Sequence, residues 1–195
     1  KMREYFSEYE PQESLICLDV EHYKMKTVDT IDLGITRLVT IAKRFRQHHP
    51  DTKIGYYSTV PQRGYRQFLK GGERLERLKK TNLQLQALAD EVDVIFPSLY
   101  TFSHNVDEWK IYAEGMITEA RRYNKPVIVF LWPQIHFSNR LSGGDFINGE
   151  FWKEQLRFAY ENADGLVIWS QKRGSPQWDE NWEWWLATND FIDQI

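Results

Sequence analysis

Five short apolar runs alternate along this chain with longer amphipathic segments, and this alternation constrains the fold more than any other feature. The runs are SLICLDV (14–20), KIGYYS (53–58), VDVIFPSLY (92–100), PVIVFLW (126–132) and GLVIWS (165–170). Apolar residues at helical spacing predict helices over about 29–48, 72–90, 105–123, 148–162 and 179–193. Asn148 and Asp179 are predicted N-caps, and Pro50 follows the end of the first helix. Strands that alternate with helices in this order predict a parallel sheet with right-handed crossovers.

The ends of the apolar runs decide between two parallel-sheet architectures. A doubly wound open sheet expects a glycine-rich phosphate loop after the first strand, and DVEHYKMKT contains no glycine. A barrel expects functional residues at the carboxyl ends of several strands, and every run here ends in such residues. The sequence therefore predicts an α/β fold of the (β/α) TIM-like barrel class, as a single domain over residues 1–195. Five strands do not close a barrel, so this interpretation requires further βα units.

Composition narrows the classes of function. The net charge of −3 predicts no nucleic-acid partner, and no apolar run approaches the roughly 20 residues of a membrane span. Cys17 is the only cysteine, which excludes an internal disulfide and leans towards a reducing compartment. Aromatic residues make up 15% of the chain, with eight tryptophans, and many lie in polar segments. Such rings are typical of a sugar-binding surface, although additional core aromatics are the commoner explanation.

Two acids, Asp19 and Glu21, end the first run. Residues two apart on a strand point to the same face, so both should project together with Cys17 one layer deeper. Because unpaired carboxylates are unstable against an apolar helix layer, we expect the pair to line the mouth of the barrel. Neighbouring carboxylates disfavour each other's ionisation, and a carboxyl that keeps its proton is the general acid of glycoside cleavage. An ion pair with a buried Arg or Lys, or a metal site, remains the alternative.

The other strand ends supply aromatic and basic candidates for sugar binding. Rings stack on sugar faces, and phenol hydroxyls donate hydrogen bonds. The candidate substrate-binding residues are Tyr56, Tyr57, Tyr100, Trp132, Trp169 and Arg63. Arg63 belongs to a basic stretch after the second run that an anionic sugar polymer could contact. No cluster of metal-ligating side chains recurs at these strand ends, so neither a metal nor another cofactor is predicted.

Taken in order, these motifs resemble the hyaluronidase family of glycoside hydrolases. LDVEHY is similar to that family's aspartate–x–glutamate strand, GYYS to its Gly–aromatic–Tyr strand and FPSLY to its Pro-Ser-Ile-Tyr strand. KPVIVFLWP and GLVIWS match two later strands in place and character. The resemblance implies a distorted seven-stranded barrel in which this chain supplies strands three to seven. The first two βα units would belong to an N-terminal part of the same enzyme that this sequence lacks. That part would be a partner of this chain.

The resemblance also implies a mechanism. Glu21 would protonate the glycosidic oxygen, and Asp19 would orient the acetamido group of the substrate, whose oxygen attacks the anomeric carbon. Tyr57 and Tyr100 would bind the substrate, and Trp169 would form the floor. The family's Pro-Asp pair is replaced by Pro61 and Gln62, which favours an N-acetylhexosamine polymer in general over hyaluronan in particular.

The predicted function is therefore that of a glycoside hydrolase acting on an N-acetylhexosamine-containing polysaccharide with substrate assistance. The alternatives are another barrel glycosidase, such as a lysozyme-like muramidase, and a non-catalytic carbohydrate-binding barrel. The resemblance suggests an extracellular, periplasmic or lysosome-like location, against the weak indication from the cysteine count, so the compartment stays open.

Overall fold

The computed structural model describes residues 14–20, 23, 25, 28–170 and 177–195. Strands and helices alternate through most of this part of the chain, as the apolar pattern predicts. The strands are β1 (Leu15–Leu18), β2 (Lys53–Tyr56), β3 (Ile128–Leu131) and β4 (Gly165–Ile168). The helices are α1 (Val28–His48), α2 (Tyr65–Lys70), α3 (Gly72–Gln84), α4 (Gln86–Ala89), α5 (Val106–Arg121), α6 (Gly149–Asn162) and α7 (Glu183–Ile192). None of the described helices is long and apolar enough to cross a bilayer.

All five apolar runs lie side by side in chain order. β1 pairs in parallel with β2, and β3 pairs in parallel with β4. The third run joins these two sheets through isolated parallel bridges, such as Phe96 with Tyr57 and Ser98 with Phe130. It is not a regular strand, because Pro97 has no N–H to donate to a neighbour. The α/β fold is as predicted, but the described residues form two-stranded sheets joined by bridges and do not close a barrel.

Side chains alternate between two apolar clusters on opposite faces of the strands. On one face, Val94, Phe96, Phe130 and the neighbouring strand residues form a small cluster. On the other face, residues such as Ile54 and Val129 pack against the helices in a larger core. Burial on both faces explains why the runs are apolar at odd and even positions alike. Residues two apart, such as Cys17 and Asp19, therefore emerge on the same side.

The helix ends test the predicted caps. α6 begins after Asn148, whose side-chain oxygen accepts a hydrogen bond from the N–H of Phe151 at 2.8 Å, which confirms this cap. The Asp179 cap is wrong, because α7 begins only at Glu183 and Asp179 accepts the N–H of Asn181 instead. The helix predicted over 72–90 divides at Leu85 into α3 and α4. The short helix α2 was not predicted.

Candidate functional site

A cleft of about 470 Å³ lies where the five parallel segments end. Each segment, or the loop that directly follows it, contributes to its lining. The lining residues are Cys17, Asp19, Tyr57, Arg63, Tyr100, Phe130, Trp132, His136, Phe137 and Trp169. The carboxyl ends of parallel strands form one edge of a sheet, so side chains far apart in sequence meet there. The structure thus brings together six of the eight predicted site residues: Asp19, Tyr57, Arg63, Tyr100, Trp132 and Trp169.

The acidic side of the cleft is formed by β1 and the residue that follows it. The side chain of Asp19 is exposed, and it forms no ion pair with any residue that the structure describes. Cys17 lies one layer deeper, and burial, with a smaller effect from the charge of Asp19, raises the pKa of its thiol to about 12. A thiol with that pKa stays protonated and is a poor nucleophile at neutral pH. Glu21, the second predicted acid, lies outside the described residues.

Within the described ranges, no group of three or more His, Cys, Asp or Glu side chains is arranged to hold a metal ion. The described side chains that line the cleft are a carboxylate, a thiol, hydroxyls, an imidazole, a guanidinium and aromatic rings.

Two tyrosines lie beside Asp19. The hydroxyl of Tyr57 donates to Ser98 Oγ at 3.4 Å, and its ring lies 5.9 Å from that of Tyr100. Burial raises the pKa of the Tyr100 phenol well above its usual range, and the neighbouring Tyr57 and the charge of Asp19 raise it further. Tyr100 therefore remains a neutral hydroxyl at every physiological pH, and it is hydrogen-bonded to Tyr57.

Two tryptophans continue the lining of the cleft next to Tyr100. Trp132 is buried, and its indole N–H donates to Gln134 Oε1 at 3.0 Å. The amide of Gln134 in turn donates to the carbonyl oxygen of Gly144 at 2.6 Å, which fixes the loop after β3. Trp169 is half-buried and meets Trp132 edge-on, with ring centroids 5.1 Å apart. Because Trp132 is buried and its N–H is already occupied, its ring supports the more exposed ring of Trp169.

His136 also lines the cleft, although sequence reasoning did not select it. Its Nδ1 accepts the backbone N–H of Ser138 at 3.1 Å and lies 2.8 Å from Ser138 Oγ. Burial, with a contribution from the positive charge of Arg63, lowers the pKa of His136 to about 4. The ring is therefore neutral near pH 7, and since Nδ1 accepts a hydrogen bond, its proton is on Nε2. The sequence signal was a histidine shortly after the fourth apolar run, beyond the run's last residue.

The loop after β2 shapes the rim. The guanidinium of Arg63 lies 5.2 Å above the ring of Phe102, which in turn lies 4.8 Å from the ring of His136. Gln62, which stands where the family resemblance implies an aspartate, donates its side-chain amide to the carbonyl oxygen of Met25 at 2.8 Å. Gln62 therefore ties the loop after β1 to the loop after β2.

Tyr56 lies away from this cleft. Its side chain is buried against α1, where its hydroxyl donates to the carbonyl oxygen of Leu38 at 2.8 Å. Adjacent residues on a strand point to opposite faces, so Tyr56 and Tyr57 cannot both line the cleft. Tyr56 is a core residue of the helix-facing side and is omitted from the candidate site.

Comparison with known proteins adds evidence at the level of the fold. The sequence matches no protein-family model, and no curated protein matches it significantly. Among solved structures, a monoclinic crystal form of bee venom hyaluronidase matches with a TM-score of 0.60 and 16% identity. That match covers 92% of this chain and 69% of the hyaluronidase chain. Bee venom hyaluronidase in complex with a hyaluronic acid tetramer matches with a TM-score of 0.58 and 16% identity, over 91% of this chain and 65% of that one. The chain therefore has an α/β fold similar to that of bee venom hyaluronidase.

Proposed function

We propose that this chain belongs to a glycoside hydrolase that cleaves a polysaccharide at N-acetylhexosamine units. The observation that carries the proposal is the convergence of an exposed carboxylate, Asp19, with phenol hydroxyls and indole rings in one cleft at the ends of five parallel segments. A carboxylate beside hydroxyl donors and apolar rings is suited to hold and polarise a sugar. The fold similarity to bee venom hyaluronidase supports this function.

Substrate assistance is the mechanism that we propose. Glu21 protonates the glycosidic oxygen as the bond to the anomeric carbon breaks, and it later accepts a proton from the attacking water. Asp19 orients the acetamido group, whose oxygen forms the transient bond to the anomeric carbon. This mechanism needs no protein nucleophile. The raised pKa of Cys17, the only cysteine of the sequence, agrees with it, because a protonated thiol is a poor nucleophile.

The remaining lining residues bind the sugar in this proposal. Tyr57 and Tyr100 form hydrogen bonds with the acetamido group and neighbouring hydroxyls through their phenol groups, while Trp169, packed against Trp132, contacts the apolar face of a sugar ring. At the rim, Arg63 supplies a cation that no described carboxylate neutralises in an ion pair. Such a cation is suited to the carboxylate of an acidic sugar unit next to the cleaved one.

The proposal includes a larger assembly. β2 and β3 are mostly buried, whereas every residue of β1 and β4 is only half-buried. Two further βα units of the same enzyme, pairing with β1 and β4, would cover these edges and close a seven-stranded barrel around one domain. That the match covers 69% of the bee venom hyaluronidase chain supports this proposal. An exported enzyme, acting on polysaccharide outside the cytoplasm, is the setting that we infer.

The side chain of Gln62 favours a second candidate function. Because its amide holds the neighbouring loop rather than presenting a carboxylate, a carbohydrate-binding barrel without turnover is the second candidate. Such a barrel would bind the same sugars in the same cleft.

The test is hydrolysis of N-acetylhexosamine polymers by the wild type and by Glu21→Gln and Asp19→Asn. We expect both variants to lose nearly all turnover while they still bind the polymer, as measured by calorimetry. The matched control is Glu114→Gln, an exposed acid on the outer surface of α5, which should keep full activity. Binding without turnover in the wild type would favour the carbohydrate-binding alternative, and unfolding of both variants would favour a structural role for the acids.

A further inference from the structure

A second group of aromatic rings lies near the cleft and has no role in the mechanism. We name Phe146, Trp178, Trp182 and Trp185 the tryptophan shelf. The ring centroids of Trp178 lie 5.3 Å from Trp182 and 5.0 Å from Trp185, and those of Phe146 and Trp182 are 4.9 Å apart. Trp178 is 59% exposed, which is unusual for so large an apolar ring, and Trp182 and Trp185 are half-buried. An exposed aromatic patch of this kind typically marks a binding surface.

The tryptophan shelf is preformed because a buried layer supports it. Trp184 is 3% exposed and lies beneath Phe146 and Trp182, with its ring nearly parallel to both at 19° and 29°. Trp184 meets Trp152 edge-on, and Trp152 is fixed by its indole N–H donating to Thr188 Oγ1 at 2.7 Å. Rings held in this way lose little conformational entropy when a ligand stacks on them.

Polar groups border a groove next to the rings. The groove has a volume of about 360 Å³. It is lined by Phe146, Ile147, Asn148, Asn181, Trp182, Glu183 and Trp184. Asn181 and Glu183 are exposed, so an amide and a carboxylate lie beside the apolar rings. This combination of ring faces with planar hydrogen-bonding groups suits sugar residues, which have apolar faces and hydroxyl edges.

One loop connects the groove to the cleft. The loop that follows β3 contributes Trp132, His136 and Phe137 to the cleft, and its later residues Phe146 and Ile147 line the groove. α6 begins directly after this loop, and the N–H of its first residue, Gly149, donates to the carboxylate of Glu183 at the start of α7. The tryptophan shelf therefore lies at the same end of the strands as the cleft.

The charges around the tryptophan shelf indicate which kind of sugar it would bind. Three exposed acids lie within two residues of Trp178 or Trp182 in the sequence: Asp179, Glu180 and Glu183. A fourth acid, Asp145, directly precedes Phe146. Acidic sugar units would be repelled there, whereas uncharged N-acetylated units of the same polymer would not. The rim of the cleft differs, because it carries the cation of Arg63.

We propose that the tryptophan shelf is a second carbohydrate-binding site, which takes uncharged sugar residues of the polymer that the cleft cleaves. The identity of that polymer rests on the proposed function. Binding at a second point of the same chain raises the effective concentration of the polymer at the cleft, so long substrates gain more than short ones.

The experiment uses the full chain with the Glu21→Gln change, so that the ligand is not cleaved. Binding of an N-acetylglucosamine hexasaccharide and of a hyaluronan hexasaccharide is measured by calorimetry for Trp178→Ala, Trp178→Tyr and Asn181→Ala. We expect Trp178→Ala to weaken binding of the uncharged hexasaccharide about five- to tenfold and Trp178→Tyr to recover part of the loss. Asn181→Ala should also weaken it, because the change removes an amide that lies beside the rings and that donates to Asp179 Oδ1 at 2.9 Å. The matched control is Tyr160→Ala, because Tyr160 is 58% exposed but lies on α6 outside both sites.

The possible results distinguish a failure of the second site from a failure of the proposed glycosidase. Unchanged hexasaccharide affinity in both Trp178→Ala and Asn181→Ala, with unchanged melting temperatures, would overturn the second site. The same holds if Trp178→Ala weakens binding of the hyaluronan hexasaccharide more than binding of the uncharged one. If the protein with Glu21 intact hydrolyses nothing but Trp178 still governs hexasaccharide binding, the second site stands and the proposed glycosidase does not.

Discussion

The rings of Tyr100 and Trp169 lie nearly parallel, with centroids 5.8 Å apart and planes inclined by 21°. Tyr100 ends the third apolar run and Trp169 ends the fifth, so the stack spans the segment between them. That segment, β3, is followed by Trp132, whose ring meets both stacked rings edge-on at 5.1 Å. The three rings therefore position one another, and a change in one of them alters the shape of the cleft.

Replacing Trp169 tests whether this cluster binds sugar. Trp169→Ala should lower kcat/KM by about ten- to thirty-fold, because stacking on a sugar contributes about 1 to 2 kcal/mol and about 1.4 kcal/mol is tenfold. Trp169→Phe should recover much of the loss. Kinetics and thermal melting are measured on the same preparations. A loss of about 3 kcal/mol in stability, with normal activity in the folded fraction, would instead assign Trp169 to the core.

Inhibition distinguishes substrate assistance from the two-carboxylate route. A thiazoline analogue of N-acetylglucosamine, which mimics the cyclised acetamido intermediate, should inhibit competitively. A fluorosugar trap should leave no adduct, because the proposed mechanism forms no bond between sugar and protein. Steady-state kinetics checks the inhibition and intact-protein mass spectrometry checks for the adduct, and a glycosyl adduct on Asp19 or Glu21 would contradict substrate assistance.

The low pKa of His136 predicts a pH dependence of stability. Its pKa falls from an ordinary 6.5 to about 4 on folding, so between these values the unfolded chain binds more protons than the folded one. The contribution of His136 is fully present above about pH 6.5 and is lost as the pH falls towards about 4. His136→Gln should flatten this part of the stability curve measured by urea unfolding. Replacing the exposed His104 with Gln should leave it in place.

Two glycines on paired strands offer a matched stability test. A Cβ on Gly55 would lie 2.2 Å from the carbonyl oxygen of Val94 and 2.6 Å from the ring of Phe96, so Gly55→Ala forces the second and third runs apart. A Cβ on Gly165 would lie 3.5 Å from the nearest side-chain atom of Ile128, which is an ordinary contact. We expect Gly55→Ala to cost about 2 kcal/mol or more and Gly165→Ala less than about 1 kcal/mol in chemical unfolding. Equal losses of stability in the two variants would contradict this expectation, because the backbone around Gly55 would then have moved to make room for the methyl group.

Much of the cleft was predictable because parallel strands impose simple geometry. Apolar runs locate the strands, and the period of two places Cys17 and Asp19 on one side. The same rule selects one of Tyr56 and Tyr57, but the chemistry of two adjacent tyrosines is identical, and only the register with Leu38 on α1 decides between them. Pro97 interrupts the third run by removing a donor, which the apolar pattern alone does not reveal.

Loop geometry was not predictable from local patterns. His136 reaches the cleft because the loop after β3 folds back on itself, with Gln134 bridging to Phe146. This pairing depends on residues that the sequence separates by a long polar stretch. The tryptophan shelf also depends on such contacts, since the sequence indicated its rings only as a high aromatic content.

The lining of the cleft is assembled from parts of the chain that lie far apart in the sequence. Asp19 comes from the first described strand and Trp169 from the last, while Tyr57, Tyr100 and Trp132 come from the segments between them. The lining residues extend from Cys17 to Trp169, so no short fragment of the chain holds the full set, and the cleft depends on contacts of large sequence separation, which form slowly. Recovery of sugar binding after dilution from denaturant should therefore coincide with the last kinetic phase of refolding, well after helical signals return.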